Sequence, residues 1–517
     1  MATSSRYPCL NWRESTIGCW QREIDETERF YTYLAKSYEG TERMFFAITG
    51  LVSLHISLSE QLSLPETSQL VERALREAWL RLRYDHPTIA SYVAYDVFEG
   101  RWIKTYNAFT QGFVNDQTEE WLQATFVPIT STLSGQEWCN SDPLAPKFPT
   151  LFIITSPDPV GTGRTLRYDL VIRSPHDIMD GIGTLQLLDN LLRHAAQAFE
   201  IPNSWSPPPP GSECRNLSPP LRIAAAIPPI LTLDQQDCLQ RIIARNEPLR
   251  RDIEVLTMPF KRGKMVPGKH QRIAHELSVF DTARVLEECK RHDATITHVY
   301  HAAVAITVRD KQVRGPTSRQ ARYINYALIN ERSKCIEDYG SAKHAAAVYH
   351  SVSGDALALD VTIPAAKQDE RNQEQDREEF RTLTKLVKQF YHEVRDSPDN
   401  LALAPSFWSM ATPHLTNPAS APHETPIPSP NEAPSVSISS MGVVEKIVAP
   451  QHGPFKIDDA WVTGEELGTG LGIFLGTWEG ILRLSAAYND AWHDKEEVGA
   501  FLDRLQEVVW NGLGLND

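Results

Sequence analysis

Thr165-Leu166-Arg167-Tyr168-Asp169-Leu170-Val171-Ile172-Arg173-Ser174-Pro175-His176-Asp177-Ile178-Met179-Asp180-Gly181 is the stretch that decides how this chain folds. Leu166, Tyr168, Leu170 and Ile172 alternate, which puts them on one side of a strand. Ser174-Pro175 marks the end of that strand. From Asp180 the period changes, and Leu185, Leu188, Leu192, Ala195 and Phe199 share one helix face. The run His176–Gly181 therefore occupies the turn between a strand end and a helix start.

Working outward, the sequence predicts a helix over Cys19–Tyr38 and a strand over Met44–Thr49. A second helix carries Val71, Ala74-Leu75, Ala78-Trp79 and Leu82, and stops at His86-Pro87 because the residue before proline avoids helical geometry. Strands are predicted at Arg101–Tyr106 and Leu151–Thr155. Pro207–Pro210 and the Pro/Ser-rich residues up to Pro229 predict a stiff connector. Beyond it come a strand over Arg272–Val279, helices over Thr282–Arg291 and Thr297–Val308, and strands over Tyr323–Ile329, Ala346–Val352 and Val436–Ser440. Asp369–Arg395 reads as a long charged helix and Pro413–Pro434 as a crossover loop. Leu471–Trp478 and Ile481–Tyr488 form a hairpin around Glu479-Gly480, and a last helix carries Val498, Phe501, Leu502, Leu505 and Val508. The expectation is a mixed α/β protein in two halves, residues 1–205 and 261–517, joined by a proline-rich connector over 206–260.

The chain has 517 residues, of which 41% are hydrophobic and 23% charged. That is the balance of a soluble globular protein with more than one core. A net charge of −15 argues against nucleic acid as a partner. It does not exclude an anionic co-substrate, which responds to the local field. No apolar run reaches the ~20 residues of a membrane span, and the amino end lacks the pattern of a secretory signal. The seven cysteines are scattered without C-x-x-C spacing, which reads as reduced thiols and a cytoplasmic setting.

A histidine in a constrained turn at a strand end, followed by an aspartate and a glycine, suits proton removal from an attacking group, because imidazole titrates near working pH. The pattern and its setting resemble the H-x-x-x-D-G motif of the CoA-dependent acyltransferase superfamily, which includes BAHD-like plant and fungal O-acyltransferases and peptide-synthetase condensation domains. Further segments are similar in the right order. They are Ala74–Pro87, Asp293–Ala303, Ile329-Asn330-Glu331-Arg332-Ser333-Lys334, and Ser437-Ile438-Ser439-Ser440-Met441-Gly442. The resemblance implies two chloramphenicol-acetyltransferase-like lobes with an active-site tunnel between them. Acyl-CoA and the acceptor would enter from opposite faces, with His176 as general base and direct attack on the thioester. It also implies that Asp180 anchors the turn by pairing with Arg332, with Gly181 supporting the site. Two departures stand out: the Asp-Phe-Gly-Trp-Gly of many plant members is missing near Ala449–Phe455, and Pro175 replaces the extra histidine usual in condensation domains. The overall layout resembles the fungal trichothecene 15-O-acetyltransferases, which implies acetyl-CoA as co-substrate, no permanently bound cofactor, a sesquiterpenoid alcohol as acceptor, and a monomer.

Other residues admit two readings. Asp180 could be a helix N-cap. Ser439 and Ser440 could meet an oxyanion or simply line a strand. His298 and His301, three apart on a helix, lack a third ligand at recognisable spacing, so no metal site is expected. Lys261, Arg262 and Lys264, with Lys269 and Arg272, form the one local basic cluster, either a CoA phosphate contact or a solvated connector. Gly468-Thr469-Gly470-Leu471-Gly472 reads as a turn before the hairpin. Two rival functions remain: a condensation-type enzyme using carrier-bound donors, and a degenerate acyltransferase fold that only binds.

Overall fold

The computed structural model describes residues 6–39, 43–57, 63–156, 165–261, 263, 266–336, 338–366, 373–414 and 436–516. The Thr165–Ser174 strand is central in a six-stranded sheet. On one side it pairs antiparallel with Ile48–Ser57, Ile48 opposite Ser174, and on the other with Thr150–Thr155. That position explains why both faces of the strand are buried from Tyr168 onward, not only the apolar one. Leu170 and Ile172 pack with Val71, Leu75 and Trp79 of the Leu64–Asp85 helix and with Leu185 and Leu188 of the Gly181–Glu200 helix. Val171 faces the other way, into a small cluster with Leu51, Trp138 and Trp461.

The other lobe is built around the Ile296–Asp310 helix, whose residues from His298 to Arg309 are all buried. The Gln373–Asp396 and Lys495–Gly512 helices enclose it. A four-stranded sheet runs beside it in the order His270–Glu276, Ile481–Asn489, Leu471–Trp478, Val436–Val443. The expected hairpin is present, with Trp478 opposite Ile481.

Several expectations are corrected. Cys19–Glu23 is a strand paired with Ile103–Asn107, and the helix begins only at Glu26. The start is set by a reciprocal capping box, in which Asp25 accepts from Glu28 N–H and Glu28 accepts from Asp25 N–H. The strand after it starts at Ile48, because Phe46 takes a left-handed backbone with φ 57°. The connector is not plain: it contains the Leu233–Asn246 helix and the Glu254–Val255 strand, which runs parallel to Ala321–Arg322. The Asn400–Ala411 helix was not foreseen, and most of the 413–434 loop lies outside the described residues. The largest departure is the Phe455–Gly464 strand, which leaves the second half of the sequence and pairs with Ile48–Ser57 of the first. The sequence division at 205 and 261 therefore does not coincide with the division between the sheets. Among the described residues no helix is long and apolar enough to cross a membrane.

Candidate active site

His176 sits where the two lobes meet, and elements far apart in sequence hold it. From the Glu26–Ser37 helix, Tyr31 lays its ring flat on the imidazole, with centroids 3.6 Å apart and planes 10° from parallel. The next residue, Thr32, donates to Asp177 Oδ2 at 2.8 Å. Lys104 Nζ donates to the Asp177 carbonyl at 2.5 Å and to the Glu28 carboxylate. Arg22 meets Glu28 from the other side at 2.6 Å. Burial alone would raise the Glu28 carboxyl, but Arg22 and Lys104 outweigh it and pull Glu28 down to about 2. A buried ionic knot thus fixes the backbone on which His176 stands.

Asp180 serves both of its expected structural uses at once. Its Oδ1 accepts from Gly183 N–H at 2.7 Å, capping the Gly181–Glu200 helix. Its Oδ2 accepts from Arg332 Nη1 at 2.8 Å and from Tyr349 N–H at 2.8 Å, both in the other lobe. Burial pushes this carboxyl up, yet the Arg332 guanidinium wins and holds it well below the usual carboxylate range. Asp180 is therefore a fixed anion aimed away from His176. The glycine that matters for this packing is Gly183. A Cβ there would lie 2.1 Å from the Ala345 carbonyl and 2.9 Å from Arg332 Nη2, whereas at Gly181 its nearest neighbour would be Val462 at 3.4 Å. Gly183→Ala is expected to destabilise by at least about 1–3 kcal/mol in urea unfolding, and Gly181→Ala by no more than about 0.5 kcal/mol.

His350, from the His350–Val352 strand, is the second histidine of the site. Its Nε2 lies 2.8 Å from the Tyr31 hydroxyl, its Nδ1 lies 3.7 Å from Asp180 Oδ2, and its ring centroid is 5.6 Å from that of His176. Trp408 closes the cluster against Tyr31 and His350. His176 retains some accessible surface although protein packs closely around it. Its Nδ1 is buried and has no properly directed hydrogen bond, while the backbone of His176 and Met179 favours the protonated ring. Burial first, and the neighbouring His350 second, push the imidazole down to about 3. The ring is neutral at ordinary pH.

Two clefts open between the lobes, with volumes of about 340 and 550 Å³ including solvent space, and Arg272, Trp461 and Arg483 line both. The first reaches Met441 and Val462, the residues that flank Gly181. His176 is not among the residues lining either of these clefts; the Tyr31–His350–Trp408 cluster packs beside its ring.

No family model matches the chain. Among curated proteins it is 23% identical to Acetyltransferase pigO of Monascus ruber, over 98% of this chain and 99% of that relative. It is 26% identical to Azaphilone biosynthesis cluster protein M of Aspergillus terreus, over 75% of this chain and 86% of that one. Among solved structures, TRI3 trichothecene 15-O-acetyltransferase from Fusarium sporotrichioides superimposes with a TM-score of 0.75 at 17% identity, over 98% of both chains. The chain has the fold of the CoA-dependent acyltransferase superfamily. The condensation domain of Monacolin K polyketide synthase MokA shares that fold at a TM-score of 0.56 and 11% identity, over 95% of this chain and 97% of that one. Fold and relatives together mark the protein as an acyltransferase.

The remaining predicted residues of the acyltransferase fall elsewhere. Ser439 and Ser440 lie on an edge strand, half-buried and exposed, and among the described residues no hydrogen bond joins either to His176. Their neighbour Met441 instead reaches toward Gly181. Lys261 pairs at the surface with Asp494, and Arg262 and Lys264 lie outside the described residues. His301 is buried between Tyr391 and Tyr323, 3.1 Å from each hydroxyl, and His298 caps its own helix by accepting from Thr295 N–H. Among the described residues no group of His, Cys, Asp and Glu is arranged to hold a metal ion. Tyr31 and His350 were missed: an aromatic inside an amphipathic helix and a lone histidine beside an apolar run carry no local signal.

Proposed function

We propose that this acyltransferase carries an acetyl group from acetyl-CoA to a hydroxyl of a secondary-metabolite alcohol, with His176 as general base. The observation that supports this reading is the state of the ring: neutral, with Nδ1 buried, at the end of a strand between two lobes. A hydrogen on Nδ1 leaves the Nε2 lone pair for the acceptor hydroxyl. The acceptor oxygen attacks the thioester carbonyl as its proton passes to Nε2. The tetrahedral intermediate then collapses with loss of the CoA thiolate, which takes the proton back from the imidazolium. Acetyl-CoA is consumed in each turnover, and no cofactor stays bound.

The resemblance to trichothecene 15-O-acetyltransferases, together with the TRI3 structure, supports a sesquiterpenoid acceptor of trichothecene type. The azaphilone-cluster relative supports azaphilone alcohols as a second acceptor class. Radiolabelled acetyl-CoA with panels of both alcohols tests the proposal: acetyl ester should form with one panel, and transfer only from carrier-loaded donors would overturn the CoA reading. The pH profile gives a separate check. Because the His176 pKa is lowered, to about 3, the base is unprotonated above that value, so kcat should stay level from pH 8 to below pH 6. An inflection near the ordinary histidine value of about 6.5 would show a ring that is not held as described.

A further inference from the structure

We infer that Tyr31 is the positioning and electrostatic partner of His176, stabilising with its ring face the imidazolium that forms during transfer. The inference rests on His176 being the base. A histidine that takes a proton in a water-poor site needs compensation for the new charge. In a serine-protease triad a carboxylate on Nδ1 supplies it. Among the described residues none is in place here. The Asp180 carboxylate is taken by Arg332, Gly183 and Tyr349, and Asp177 accepts from Thr32. Nδ1 of His176 is buried without a directed partner. The other charged or titratable side chain facing the ring is His350, from the second lobe.

What does lie against His176 is an aromatic face. The two rings are 3.6 Å apart and within 10° of parallel, closer and flatter than any other ring contact His176 makes. A cation over an aromatic face is attracted by the ring quadrupole, and the attraction grows when water is excluded. Burial holds the Tyr31 phenol well above its ordinary pKa, so it keeps its proton, and its hydroxyl shares a 2.8 Å hydrogen bond with His350 Nε2. His350 then turns Nδ1 toward Asp180, 3.7 Å away. That is beyond a hydrogen bond but within reach of the carboxylate's charge. The chain of contacts fixes the plane of Tyr31. The face interacts weakly with the neutral imidazole and strongly with the imidazolium, so its contribution falls on the transition state and not on substrate binding.

The test varies the electronics of the ring at nearly constant shape. Tyr31→Phe and its 4-fluoro, 3,5-difluoro and 3,4,5-trifluoro analogues are introduced by unnatural-amino-acid incorporation, with Tyr31→Leu and His176→Ala alongside. Across the phenylalanine series kcat should fall stepwise with each fluorine, by roughly 10- to 30-fold in all, while KM for acetyl-CoA and the melting temperature stay constant. Tyr31→Leu should lie at or below the bottom of that series. A flat series beside an inactive His176→Ala overturns the inference and leaves His176 as base. A fully active His176→Ala overturns the reading of His176 itself.

Discussion

His176→Ala is expected to lower kcat by at least about 100-fold, the usual loss on removing a general base, while KM for acetyl-CoA changes little. The argument is one of role and not of proximity. An alcohol is a poor nucleophile until its proton has somewhere to go, and in the proposed mechanism the neutral ring of His176 at the lobe junction receives it. Truncation to alanine leaves the strand, the Asp180 anchor and the ionic knot in place, because His176 contributes no hydrogen bond to any of them. Thermal melting should therefore match the parent protein within a degree or two, and release of free thiol from acetyl-CoA in the presence of acceptor measures the loss. Retention of full turnover would remove His176 from the chemistry.

The second large effect is on stability. Asp180→Ala strips the partner from Arg332, whose side chain is 5% exposed and cannot turn out to solvent. Leaving one member of a buried ion pair alone costs about 3–5 kcal/mol. The Gly183 and Tyr349 N–H groups each lose an acceptor as well, so the effect should reach the upper end of that range. Asp180→Asn keeps an amide oxygen for the helix cap but loses the charge, and should fall in between. Asp180→Ala combined with Arg332→Met removes both charges and is expected to recover part of the loss, a coupling that a double-mutant cycle in urea reads directly. A single Asp180→Ala loss below about 1 kcal/mol would show that the pair does not anchor the seam. The pH dependence has a definite sign: the Asp180 carboxyl is lowered in the folded state, so its contribution is present above the ordinary carboxylate range and disappears as pH falls through the folded value.

The parts of the fold written in local patterns could be read from them. Alternation placed the Thr165–Ser174 strand, and the helical period placed the Gly181–Glu200 helix, each close to its observed ends. The Phe455–Gly464 strand escaped because a bulge between Ile457 and Asp459 breaks its alternation. At the site, Asp180 and Arg332 were expected together through the family resemblance, and the structure places them 2.8 Å apart. Tyr31 and His350 were invisible for a physical reason. Their importance lies in contacts to His176 and to each other across very long stretches of chain, and neither residue type in its own segment departs from ordinary packing. Gly183 was overlooked in favour of Gly181 because only the approach of the Ala345 carbonyl distinguishes them.

The crossing of Phe455–Gly464 into the first sheet has a consequence for how the protein is made. Until those residues leave the ribosome, Ile48–Ser57 has an open edge, a row of backbone donors and acceptors beside an apolar, aggregation-prone surface. The two strands are far apart in sequence: His55 on one and Asp458 beside it on the other are 403 positions apart. At ordinary rates of synthesis the nascent chain therefore carries that bare edge for roughly 20–80 s. Completion of the first sheet is thus a late event in synthesis, and truncated transcripts ending before residue 455 should yield chains that depend on chaperones and aggregate without them.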